Sequence, residues 1–332
     1  MTDEIFEASL TDEVLSLMRE SSVVTGPDAS AYGVYGESIV KMKAPRFDLD
    51  RVWKLMDGLI DVHCHTGPAA TTHRLYDVLD MAKQASEVGQ RALVSKAHNV
   101  PTTRDAIIAQ KCHNEWAAAN NKKRVDLFGG VVLNYAVGGL NPDAVISAYR
   151  LGGKYVWLPN LDATHHRRVV GAQGGIEVLD ENDQVVPELK EILSLIAEGD
   201  MALGVGHQST KERFIIVDEA KKIGVKRIEV NHVNFPLTRM TPEQAKTIAG
   251  KGALIGIYVI EFRPPLFYMD EALDIIKVVG AENIVIASDC GHLNNPTPVE
   301  ALRLMITALL VAGVPDKDVE LMVKTNPATL LY

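Results

Sequence analysis

Two histidines separated by one residue, His63 and His65, form the first arrangement in the sequence that could do chemistry. They end an apolar run, residues 59–65, that has the composition of a buried β-strand. Residues two apart on a strand point the same way and lie about 6–7 Å apart along the chain. Two imidazoles at this spacing can bind one cation, so the pair indicates a metal site, with two ordinary strand histidines as the alternative.

Three further side chains that can bind a metal follow later apolar runs in the same way. They are His207, His232 and Asp289, at the ends of residues 202–207, 227–232 and 283–289. In a closed barrel of parallel strands, all the carboxyl ends meet at one rim, so these residues can converge. Imidazole and carboxylate ligands suit a divalent ion such as Zn²⁺, which lowers the pKa of bound water to about 7. Asp289 can bind the metal and also take the proton of that water.

The elements that must position these residues repeat along the chain from residue 58 onward. Eight apolar runs occupy residues 59–65, 92–97, 125–134, 155–160, 202–207, 227–232, 253–261 and 283–289. Most of them lack polar alternation, which is typical of strands buried on both faces of a parallel sheet. Amphipathic stretches between them predict helices, several of which start with Pro or a polar cap and end near Gly. The pattern predicts a (β/α)₈ TIM barrel, with a doubly wound open sheet as the alternative.

The order of these residues resembles that of the amidohydrolase superfamily of metal-dependent hydrolases. Members carry His-x-His after the first strand, a histidine after the fifth, another after the sixth and an aspartate after the eighth. Residues 325–331 also resemble the superfamily's C-terminal Asn-Pro-Ala segment, and the likeness covers roughly residues 58–332. The resemblance implies that His63, His65, His207 and Asp289 bind the metal. It implies that His232 either completes the coordination or orients the water.

The sequence departs from the two-metal members of the superfamily at the fourth strand. Many of those carry a carboxylated lysine or a glutamate at its end, where this chain has Leu158-Pro159-Asn160. Lys96 or Glu261 would have to bridge a second metal. We therefore expect one divalent ion per chain, Zn²⁺ first with Mn²⁺ or Fe²⁺ as alternatives, and two ions if one of those residues bridges. Residues 288–292 resemble a branch of the superfamily that contains mononuclear decarboxylases and lactone hydrolases.

Four residues near the same strand ends are candidates for substrate binding. They are Lys96, His98, Glu261 and Arg263. Lys96 and His98 can hold a carboxylate or stabilise an oxyanion. The structural alternatives are an ion pair between Lys96 and a nearby acid, and an ion pair between Glu261 and Arg263 at the rim.

Two segments lie outside the repeat. Residues 1–57 are predicted to be an N-terminal helical arm that packs on the barrel, residues 58–332, or on a neighbouring subunit, so we expect a homo-oligomer. Residues 160–186 form an insertion after the fourth strand, in which residues 176–179 and 184–186 predict a β-hairpin. Long loops of this kind are often functional lids. The basic run at 165–168 is interpreted as a solvated turn in preference to an anion site.

The composition limits the classes of partner that we expect the protein to bind. With 34 Lys and Arg against 43 Asp and Glu, the net charge is −9, which disfavours nucleic acid. We expect no membrane-spanning segment and no signal peptide, because the chain has no long apolar run and its first residues are acidic. Its three scattered cysteines suit a reducing cytoplasm. We expect a cytoplasmic hydrolase that cleaves an amide, cyclic amide or lactone of small size. The alternatives are a metal-dependent decarboxylase and a non-catalytic metal-binding protein.

Overall fold

The computed structural model describes residues 48–262 and 269–332, and within them the predicted barrel is confirmed. Each of the eight apolar runs contains a strand, and the third strand has two segments. The strands are β1 Ile60–His65, β2 Ala92–Lys96, β3 Asp126–Phe128 with Gly130–Val132, β4 Tyr155–Trp157, β5 Ala202–Val205, β6 Arg227–Val230, β7 Leu254–Tyr258 and β8 Ile284–Ala287. Residues 1–47 of the predicted N-terminal helical arm lie outside the described residues, and the boundary at residue 57 stays a prediction.

Every pair of neighbouring strands from β1 to β8 is parallel. The two ends of this sheet are joined by backbone hydrogen bonds just beyond β8. The amide of Asp289 donates to the carbonyl of His63 over 2.8 Å, and the amide of His65 donates to that of Cys290 over 2.8 Å. The bonds that close the barrel therefore also fix three of the predicted metal ligands relative to one another.

Helices precede, connect or follow the strands along the chain. They are α1 Leu49–Met56, α2 Val78–Glu87, α3 Thr103–Ala119, α4 Pro142–Arg150, α5 Thr164–Val169, α6 Pro187–Glu198, α7 Thr210–Ile223, α8 Pro242–Ala249, α9 Met269–Val279, α10 Pro298–Val311, α11 Asp316–Glu320 and α12 Asn326–Leu331. A capping box of Ser209 and Glu212 starts α7 directly after the His207 loop. None of the described helices is both long and apolar enough to cross a membrane.

Inside the barrel lies a layer of hydrogen-bonded polar side chains, which we call the interior polar layer: Tyr155, Glu229, Asn231 and Tyr258. The hydroxyls of Tyr155 and Tyr258 donate to the two carboxylate oxygens of Glu229. The amide of Asn231 donates to the hydroxyl of Tyr258. A Cβ at Gly256 would lie 2.6 Å from Glu229 Oε1, so only glycine leaves room for this carboxylate.

The insertion after β4 contains the predicted hairpin in minimal form. Leu179 and Val185 make an antiparallel bridge, and the amide of Asp180 donates to the carbonyl of Gln184 over 2.8 Å. The short helix α5 precedes it. Nε2 of His165 lies 2.9 Å from the carbonyl of Leu237, in the loop after β6. The insertion is thus attached to the carboxyl end of the barrel, where the predicted site lies.

Candidate metal centre

The five predicted ligands all lie at the carboxyl rim of the barrel. His63 and His65 belong to β1, while His207, His232 and Asp289 each follow their strand by two residues. All five are buried. His232 and Asp289 have φ values of 60° and 48°, which residues other than glycine seldom adopt. Such local strain is typical of functional sites, where the surrounding structure holds a side chain in place.

Three of these residues bring their ligand atoms together closely enough to share an ion. Atoms of His63, His232 and Asp289 all lie within 4.8 Å of one another. Oδ1 of Asp289 lies 3.2 Å from Nε2 of His63, and Oδ2 lies 3.8 Å from Nε2 of His232. The aspartate carboxylate is therefore the centre of the group.

Residues behind the group hold its imidazole rings in position. Oε1 of Glu261, in a 3₁₀ turn after β7, lies 2.8 Å from Nδ1 of His232. Imidazole ligands of metals usually donate their second N–H to such a partner. The ring of Tyr258 lies 4.6 Å from the rings of both His63 and His232. The interior polar layer therefore forms the floor of the site.

Burial sets the protonation states of the group. Burial, and then the charge of Lys96, lowers the pKa of His63 to about 4. Burial also lowers the pKa of His232 well below its usual range. For Asp289 burial acts in the opposite direction, but the imidazoles of His63 and His65 outweigh it and hold the pKa well below its usual range. Neutral imidazoles beside an ionised carboxylate are the forms that bind a metal.

A buried lysine, Lys96, lies directly beside the group. Its Nζ lies 2.8 Å from Nε2 of His63 and 5.4 Å from the centre of the Trp157 ring. Burial lowers the pKa of Lys96 to about 8. An ammonium group has only donors, so Nε2 of His63 is the acceptor in this contact. The donor set of His63, His232 and Asp289 fits a divalent cation.

His65 and His207 lie beside this three-residue group. Nε2 of His65 is 2.9 Å from Oδ1 of Asp289. The ring of His207 lies 5.2 Å from that of His232, and its Nδ1 is 2.9 Å from Nδ1 of His166 in α5. The sequence analysis interpreted the basic run that contains His166 as a solvated turn, whereas the run forms helix α5 and His166 lines the site. The insertion thus adds an imidazole to the site.

A cavity of about 180 Å³ opens onto the group. Six histidines line it: His65, His98, His166, His207, His232 and His292. Lys96 and Asp289 also reach its wall, together with apolar side chains of Leu161, Phe235 and Ile260. Glu261 is fully buried behind His232, and the described wall does not include it. Arg263 lies outside the described residues.

Residues 58–256 match the model of a family described as a family of unknown function, DUF6282. The chain belongs to this family. A search of the curated proteins gives no match.

Solved structures share the fold at low sequence identity. An amidohydrolase from Pseudomonas aeruginosa is 13% identical with a TM-score of 0.53, covering 86% of this chain and 98% of its own. A probable 2-pyrone-4,6-dicarboxylic acid hydrolase from Acinetobacter baumannii is 12% identical with a TM-score of 0.54, covering 82% and 99%. A probable dipeptidase from Pseudomonas aeruginosa is 10% identical with a TM-score of 0.57, covering 85% and 97%. These likenesses show the barrel fold.

Proposed function

We propose that the protein is a metal-dependent hydrolase of the amidohydrolase superfamily that cleaves a small amide, cyclic amide or lactone. The observation that carries the proposal is the convergence of His63, His232 and Asp289 within 4.8 Å at the carboxyl rim. Active sites of TIM-barrel enzymes lie at this rim. The names of the structural relatives, which include an amidohydrolase and a dicarboxylic acid hydrolase, agree with the reaction class.

In this proposal, His63, His232 and Asp289 hold one divalent ion, with Zn²⁺ the first choice. His65 orients Asp289, and His207 supports His232 from the side. When bound, the ion supplies Lewis acidity to a carbonyl oxygen and acidifies water. Asp289 receives the proton of the attacking water at its carboxylate and passes it to the leaving group.

The cavity wall supplies the remaining groups of the proposed reaction. Lys96 and His98 are placed to donate hydrogen bonds to a substrate oxygen, which stabilises the charge that develops there. Leu161, Phe235 and Ile260 limit access of bulk water, which strengthens these interactions. The volume of about 180 Å³ restricts the substrate to a small molecule.

A decarboxylase is the second candidate, because the same wall suits a carboxylated substrate. Among the described residues that line the cavity, Lys96 carries an ammonium group and Asp289 carries the one carboxylate. A carboxylate group on the substrate would therefore find a cationic partner. The two reactions differ in whether water enters the product.

The experiment is a screen of the zinc-loaded protein in water enriched in ¹⁸O. The panel contains lactones, cyclic amides, linear amides, esters and carboxylated aromatic compounds. Hydrolysis places one ¹⁸O atom in the acid product, whereas decarboxylation gives an organic product that has lost CO₂ and gained no ¹⁸O. Loss of turnover in Asp289→Asn, measured with equal protein, ties the reaction to the site. Absence of turnover across the panel would favour a non-catalytic metal-binding role.

The cytoplasmic location and the homo-oligomeric state stay predictions from the sequence. The oligomer rests on the predicted arm, which lies largely outside the described residues. Sedimentation of the full chain measures the oligomeric state directly.

A further inference from the structure

Two buried asparagines lie behind His98, between the ends of β3 and β4. Asn134 and Asn160 are 1% and 2% exposed. Nδ2 of Asn160 lies 2.9 Å from Nδ1 of His98. His98 itself belongs to the cavity wall. The asparagine pair therefore contacts a side chain of the cavity wall at its Nδ1.

Backbone groups determine the orientation of the Asn134 amide. The backbone N–H of Asn160 can only donate, and it lies 3.0 Å from Oδ1 of Asn134. The NH₂ group of Asn134 must then occupy the other position. It donates to Oδ1 of Asn160 over 2.5 Å and to the backbone carbonyl of His98 over 3.0 Å. Both partners are acceptors, so the orientation is consistent throughout.

The orientation of the Asn160 amide follows in the same way. Its Oδ1 accepts from Nδ2 of Asn134 and also from the backbone N–H of Leu161 over 2.6 Å. The group that faces Nδ1 of His98 is therefore the NH₂ of Asn160, which has donors only. Nδ1 of His98 must accept, and a neutral imidazole that accepts at Nδ1 carries its hydrogen at Nε2.

We infer that Asn134 and Asn160 fix His98 as the Nε2–H tautomer, which makes it a permanent hydrogen-bond donor to the substrate. Among the described residues, no group accepts a hydrogen bond from Nε2 of His98. Its partner is a substrate oxygen, either the carbonyl under attack or a carboxylate. Asn134 and Asn160 are positioning residues that act through His98. The inference rests on the proposed function only in that the cavity binds the substrate.

The tautomer is measured without any activity assay. Imidazole ¹⁵N chemical shifts in the zinc-loaded full chain distinguish a protonated ring nitrogen from one with a lone pair. The His98→Gln variant identifies the His98 signals by their loss. We expect a lone pair at Nδ1 and a hydrogen at Nε2. A hydrogen at Nδ1 alone would overturn the inference, whether or not a substrate is known.

The variant Asn160→Asp reverses the hydrogen bond, because a carboxylate accepts from Nδ1–H. At a pH where the ¹⁵N shifts show a neutral ring, we expect the hydrogen to move to Nδ1 and kcat to fall about 10²–10³-fold. His98→Gln, which offers an amide NH₂ near the position of Nε2, should retain more activity than His98→Ala. A tautomer switch with unchanged kcat and KM would refute the donor role. If Asn160→Asp fails to fold, two other measurements test the inference. They are the ¹⁵N spectrum of the natural chain and the activities of His98→Gln and His98→Ala.

Discussion

The group of His63, His232 and Asp289, which we call the rim group, and the interior polar layer are both buried sets of polar side chains in the same barrel. They differ in how their polar atoms find hydrogen-bond partners. In the layer, Tyr155 and Tyr258 both donate to Glu229, so both carboxylate oxygens have a partner. At the rim, polar atoms face a cavity of about 180 Å³. Asp289 and His232 of the group reach this cavity with their side chains.

The difference indicates that the two regions have different roles. Buried polar groups are costly unless hydrogen-bonded, so a layer that satisfies itself contributes to a unique, stable interior. A group that leaves donors and acceptors directed at a common space needs an external partner. The two regions meet at the ring of Tyr258, which packs against His63 and His232. We therefore expect the layer to support the rim through this packing and to take no direct part in its chemistry.

The largest expected effect separates the two regions by activity. Asp289→Asn removes the central carboxylate of the rim and should lower kcat by about 10²–10⁴-fold, the usual contribution of a general base, with further loss from weaker metal binding. The matched control, Glu229→Gln, changes a carboxylate of the layer in the same way. It should leave kcat within about tenfold. Steady-state kinetics on zinc-loaded proteins make the comparison, and equal losses in both variants would remove the distinction.

The next effect is on stability. Tyr155→Phe deletes one donor to Glu229 and leaves a buried carboxylate oxygen without a partner, which should cost about 1–3 kcal/mol in the free energy of unfolding. Denaturant unfolding of the metal-free protein measures this change. His207→Gln at the rim should lower the free energy of unfolding by less, because the partner of His207, His166, lies beside the cavity. The opposite ranking of the two variants would contradict the assignment of stability to the layer.

The smallest effect is a pH dependence that belongs to the layer. Burial is the largest influence on Glu229 and raises its pKa above the usual range, despite hydrogen bonds from Tyr155 and Tyr258. A raised pKa in the folded state means that stability is fully present below the unfolded pKa of about 4.5 and is lost as pH rises through the folded value. The natural chain should therefore gain stability relative to Glu229→Gln as the pH falls toward 4.5. A constant difference from pH 8 to 4.5 would be inconsistent with a raised pKa.

The sequence predicted the strands well because burial on both faces leaves a local, continuous apolar signal. It could not predict the interruption of β3 at Gly129, which depends on the backbone of Thr102 lying 2.6 Å from where a Cβ would be. This interruption depends on packing that local periodicity does not encode.

The sequence predicted those rim residues that directly follow a strand. Order along the strands placed His63, His232 and Asp289 at one rim, whereas their supporting contacts come from loops. Asn160 was noticed only as part of the departure from two-metal relatives, and nothing local indicated that its amide would face His98. His166 reaches the cavity through the fold of the insertion. Loop geometry of this kind has no periodic signature in the sequence.

The most direct test of the central claim is the metal content of the zinc-loaded chain, measured by mass spectrometry together with calorimetric titration. The account predicts about one ion per natural chain, and much weaker binding in His63→Ala and Asp289→Asn, while Glu229→Gln binds like the natural chain. Undiminished binding in both rim variants, with their folds intact, would contradict the claim that His63, His232 and Asp289 form the metal centre.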